Sequence, residues 1–231
     1  MKTYRTTATI VGVLYIIGTV AGILSMVVTA GLLDASAVLA TVDAHAGQAK
    51  AGAFLILVMG VALAMVPALM FPILKRQNEA LAIGYVIFRG ALETATYLGM
   101  AMSWLLLVAD AHQYAGAGTD AAPQFSSLGT LLVKAQDPTT AILDIVFSLG
   151  ALMFYSLLYQ ARRVPRWLSG WGIAGAVLYL TAGMIAVFST HLVILLMPLA
   201  VQEMVMAIWL ITKGFSPGVI ASEPDRQPLA V

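Results

Sequence analysis

The stretch LAIGYVIFRGALETATYLGMAMSWLLLV, residues 81–108, is apolar over most of its length yet carries Arg89 and Glu93 near its middle. As a helix rising about 1.5 Å per residue, it is long enough to cross a hydrocarbon layer of about 30 Å. Charged side chains at that depth are costly and need partners, so they mark either a functional site or a structural ion pair. Arg89, Glu93 and Tyr97 follow at intervals of four and share one helix face. Ala91, Ala95 and Gly99 fall on the opposite face, which is small and suited to close packing.

The rest of the chain has the same apolar character. Of its 231 residues 61% are hydrophobic and only 10% charged, with a mean hydropathy of +0.93. Such a composition belongs in a lipid bilayer. A net charge of +1, with the charges dispersed, offers no surface for nucleic acid. The lack of cysteine removes disulfides, thiol catalysis, iron–sulfur clusters and cysteine-ligated zinc.

Five further apolar runs, 9–33, 52–74, 139–159, 170–189 and 192–212, complete an all-α protein of six transmembrane helices within residues 1–213. A cleaved signal peptide is the rival reading of the first run, but its apolar core would be about 7–15 residues. Gly18 and Gly22 in this run form a GxxxG pair that lets a neighbouring helix come close. Pro67 and Pro72 in the second span, and Pro198 in the sixth, are expected to free carbonyls and bend their helices. Residues 34–50 read as a polar, alanine-rich loop, and 109–138 as the longest connection, with a short surface helix over 125–133. Residues 214–231 read as a disordered tail.

Six spans put both termini on one side, and the basic residues indicate which. Lys2, Arg5, Lys75, Arg76, Arg162, Arg163, Arg166, Lys213 and Arg226 fall on one face, against Lys50 and Lys134 on the other. The positive-inside rule therefore predicts cytoplasmic N and C termini. Counted from the basic anchors, Arg89 lies about 20 Å deep, Glu93 about 26 Å, Asp144 about 27 Å and Glu203 about 15 Å. Three acids and one arginine thus fall in one slab. They cannot all be ionised and paired in an apolar interior, so at least one carboxyl is expected to hold a proton and to be able to release it.

This pattern predicts a polar centre among spans three, four and six, formed by Arg89, Glu93, Tyr97, Asp144, Gln202 and Glu203, that binds a small solute or carries protons. In an accessory or structural membrane subunit the same groups would fasten helices instead. The repeated Asp-x-His of Asp43 with His45 and Asp110 with His112, together with His191, gives a third reading: an outward metal site in a membrane hydrolase. No phosphate loop, dinucleotide fingerprint or nucleophile elbow is present, and no cofactor is expected. On balance a non-enzyme is expected, with the lipid bilayer as the partner, a small solute as the other candidate, no nucleic acid, and protein partners left open.

The phrases ATIVGVLYIIGTVAGILS (8–25), FRGALETATYLG (88–99) and IVFSLGALMFYSLLYQARRVPRWLSGWGIAG (145–175), with their spacing, resemble a large bacterial and archaeal family of polytopic membrane proteins known only as a domain of unknown function. The resemblance covers about residues 5–213. It rests on the Arg and following Glu of the third span and on the Pro-Arg turn at Pro165-Arg166. It implies a six-helix integral membrane protein and no established activity. Three spans, a linker and three more also permit an inverted repeat in which spans three and six correspond.

Overall fold

The computed structural model describes residues 2–33, 37–116 and 122–216, and these are helical almost throughout, with no strand among them. The chain runs α1 (Lys2–Thr29), α2 (Val38–Ala44), α3 (Ala46–Leu74), α4 (Glu79–Tyr85), a π-helical segment (Val86–Leu92), α5 (Glu93–Gly116), α6 (Ala122–Lys134), α7 (Gln136–Ala161), α8 (Arg166–Phe188), a 3₁₀ turn (Val193–Leu195) and α9 (Met197–Thr212). Six of the helical stretches are long and apolar enough to cross a membrane. Their outward faces carry Phe54, Val61, Met102, Phe188 and Ile194 in exposed positions. In water such a surface would aggregate, whereas in a bilayer it meets acyl chains.

Local chemistry sets the ends of these elements. The Asn78 side chain accepts the Leu81 N–H at 3.0 Å and starts α4 with Glu79 in its first turn, where an acid suits the helix dipole. Arg162 closes α7 in the left-handed conformation with φ 49°, and Pro165 then precedes α8. Gly214, with φ 73°, follows the last turn of α9 at a position that favours glycine. The Arg5 guanidinium donates to the Ile211 and Thr212 carbonyls at 2.8 and 3.0 Å, tying the start of α1 to the end of α9. Arg163 lies over the Tyr4 ring at 5.8 Å, so three basic segments meet at one end of the bundle.

The spans pack in chain order around a ring. α1 lies on α3, α3 on α5, α5 and the π segment on α7, α7 on α8, α8 on α9, and α9 closes back on α1. Gly18 and Gly22 of α1 receive the Leu63 and Met59 side chains of α3, as the GxxxG pair suggested. The third and sixth spans face each other across this ring, and their backbones nowhere approach within 8 Å among the described residues. Side chains fill the middle.

Several boundaries and faces differ from the sequence reading. Much of 34–50 and 109–138 is helix, because alanine-rich chain with few glycines keeps its helical propensity. α5 runs on to Gly116, and α6 extends beyond the expected short helix at both ends. The sixth span is not one helix from its start, since the 3₁₀ turn precedes α9. Ala91, Ala95 and Gly99 are exposed rather than packed, and Gly99 has no neighbour within 4 Å of a built Cβ. Small residues permit close packing but do not supply the attraction for it. Residues 217–231 of the expected tail, and 117–121 of the long connection, lie outside the described residues.

Candidate functional site

Arg89 occupies the centre of the ring. It sits in the π segment, whose i→i+5 bonding widens the helix by one residue per turn and recurs at functional sites. Its side chain is among the largest that are fully buried. Gly150 of α7 makes room for it, since a Cβ there would stand 2.6 Å from the Arg89 Cγ. On the same helix the Phe147 ring lies 4.3 Å from the guanidinium carbon, a cation–π contact in a dry setting. Gly90, beside it, faces Pro67 of α3.

The guanidinium holds two carboxylates at once. Nη1 donates to Glu93 Oε1 at 3.3 Å and Nε lies 3.2 Å from Glu93 Oε2. Nη2 donates to Glu203 Oε1 at 3.3 Å. Tyr97 completes the stripe, its hydroxyl donating to Glu93 Oε1 at 2.8 Å. Glu93 is completely buried, whereas the Glu203 side chain keeps 14% of its surface exposed. Glu203 is therefore the less enclosed of the two carboxylates.

Three tyrosines stand around the triad on the side of the basic end. Tyr15 of α1, Tyr85 of α4 and Tyr155 of α7 are almost wholly buried, and Tyr85 stacks on Phe154 at 4.8 Å between centroids. The Tyr85 hydroxyl faces that of Tyr15, while the Tyr155 hydroxyl has no hydrogen-bond partner among the described residues. A buried hydroxyl without a partner costs about 1–3 kcal/mol. Sequence reading missed all three. Tyr85 was readable as the turn before Arg89 on the same stripe, and Tyr15 and Tyr155 as tyrosines far from the headgroup level where this residue collects.

Other expected members fall elsewhere. Asp144 is buried but does not touch Arg89; its carboxylate faces Tyr179 of α8 and lies near His191. Counting depth along a helix does not fix its rotation, which is why the slab joined groups that the ring keeps apart. Gln202 is buried and donates to the Leu168 carbonyl at 3.0 Å, fastening α9 to α8.

The histidines do not converge. His112 contacts Asp43 at 3.3 Å, His45 turns its ring to the Thr41 carbonyl at 2.9 Å, and His191 sits by Asp144. Among the described residues no three His, Asp or Glu side chains gather in a way that could hold a metal ion. Asp110 instead packs under Gly129 of α6, whose backbone faces its carboxylate. Beside it is a cavity of about 350 Å³ lined in part by Leu39, Tyr114, Ser126, Thr130 and Lys134.

A protein family described as a domain of unknown function (DUF4386) matches residues 10–214, nearly the whole helical ring and every member of its buried triad. The chain belongs to this family. Neither a curated protein nor a solved structure matches it. DUF4386 membership and the six apolar helices together establish a multi-pass membrane protein. The family description assigns no chemistry to the site.

Proposed function

We propose that this chain is a proton-coupled protein of a prokaryotic cytoplasmic membrane, with Glu203 as the carboxyl that takes up and releases the proton. The observation that carries this reading is the sharing of one guanidinium by two carboxylates in the ring centre. Arg89 can neutralise only one of them. No second cation acts on either carboxylate, so a proton is the simplest complement to the remaining charge in a low-dielectric interior. Glu93 is held by Arg89 and Tyr97 together and stays the fixed anion. Glu203 has a single contact with Arg89 and partial exposure, which suits it to exchange.

Protonation of Glu203 would weaken its contact with Arg89 and so loosen a link between spans three and six. That gives a two-state element which a proton biases. An anionic solute is disfavoured, because Arg89 is already saturated by carboxylates. Both termini lie on the cytoplasmic side in this reading, by the distribution of basic residues.

The fit of Arg89 between Gly150 and Phe147 favours a second reading, in which the triad only fastens helices of an accessory subunit. Proton binding separates the two. The wild type is expected to show a titrating carboxyl that Glu203→Gln lacks; a variant that merely melts earlier with its titration unchanged supports the fastener.

A further inference from the structure

We infer that protons reach the triad from the end opposite the basic one by way of Asp144 and Tyr179, an inference that rests on the proton-coupled reading above. Asp144 is a buried carboxylate with no ion pair to any lysine or arginine among the described residues. The Ser148 hydroxyl donates to its backbone carbonyl, which leaves the carboxylate itself without that partner. A buried carboxylate without a lysine or arginine partner at such a place marks a candidate functional group.

Its neighbours form a directed series. Gly183 brings α8 so close to α7 that a Cβ there would stand 2.9 Å from the Asp144 Cβ. One turn earlier on α8, Tyr179 presents its hydroxyl to Asp144. The Tyr179 ring packs on Phe147 at 4.7 Å between centroids, and Phe147 is the ring against which Arg89 lies. On its inner side Tyr179 is within electrostatic reach of Glu203, Glu93 and Tyr97 without touching them. On the far side, His191 in the connection after α8 stands by Asp144 and is only partly buried. The titratable groups facing Asp144 are therefore Tyr179 and His191, with Glu93, Tyr97, Arg89 and Glu203 beyond the tyrosine.

The chemistry balances without any co-reactant. His191 or water delivers a proton to the Asp144 carboxylate. The Tyr179 oxygen then accepts that proton while its own hydroxyl hydrogen moves inward, through water, to the Glu203 carboxylate. Tyr179 ends as it began, Asp144 is again ionised, and one proton has advanced. Hydroxyls pass protons in this way because each can donate and accept together.

The test is proton flux driven by a pH gradient in proteoliposomes holding the full chain, compared among wild type, Glu203→Gln, Asp144→Asn and Tyr179→Phe. Asn and Phe keep the shape and the Phe147 packing, so folding is preserved, and a melting curve on each variant confirms it. Wild type is expected to conduct, Glu203→Gln to lose flux, and Asp144→Asn and Tyr179→Phe to fall about tenfold each, with Asp144→Glu recovering part of the loss. Wild-type flux in Asp144→Asn and Tyr179→Phe, with Glu203→Gln inactive, would overturn the route and leave the triad standing. No flux in any sample would overturn both.

Discussion

At the residue scale, one guanidinium carries the account. Arg89 is dry, shared by two carboxylates and packed against an aromatic face. Replacing it by Gln removes the only cation among the described residues that acts on Glu93 and Glu203, and stranding buried carboxylates costs about 3–5 kcal/mol. Arg89→Gln is therefore expected to lower the denaturation midpoint far more than Glu203→Gln, which leaves Arg89 paired with Glu93; equal losses in a denaturant titration in detergent would contradict that. The pairing of Arg89, Glu93 and Tyr97 was legible in the sequence, because four-residue spacing on a helix is a geometric certainty once the helix is granted. The bond to Glu203 was legible only as a match of depth. Asp144 shows the weakness of that inference, since depth placed it in the same slab while helix rotation turned it to Tyr179.

At the element scale, glycines set how near the helices come and so where the tyrosines point. A Cβ at Gly172 of α8 would stand 2.5 Å from the Tyr155 ring, whereas at Gly170, two residues earlier, nothing lies within 4 Å. Overpacking of this kind costs about 1–3 kcal/mol. Gly172→Ala is expected to destabilise by that amount and Gly170→Ala to be neutral or slightly stabilising, as compared by thermal melts of the two variants. Helix existence was readable from apolar run length throughout. The π segment was not, because a shift in hydrogen-bond register leaves no mark on hydropathy. Nor could Ala91, Ala95 and Gly99 be assigned to a packed or an open face, since small residues serve both.

At the scale of the whole molecule, six spans in chain order enclose a middle that only side chains occupy. Spans three and six stand across it, the places that an inverted repeat would give them, and Arg89 with Glu203 joins them. The basic end gathers Tyr4, Arg5, Arg163 and the end of α9, and the proposed orientation, which follows the positive-inside rule, turns it to the cytoplasm. As the chain has no cysteine, single substitutions report sidedness cleanly. Ala44→Cys is expected to react with a membrane-impermeant maleimide in intact cells, and Gln77→Cys only after permeabilisation; the reverse pattern would invert the topology.

Proton exchange at Glu203 is read by infrared difference spectroscopy. Purified wild type and Glu203→Gln would be titrated from alkaline to acid pH while the carbonyl stretch of protonated carboxylic acids is followed. A band component that grows on acidification in the wild type and is missing in Glu203→Gln is the expected result. An identical carboxylic band in both proteins at every pH would mean that Glu203 does not titrate, and the triad would then be a fastener alone.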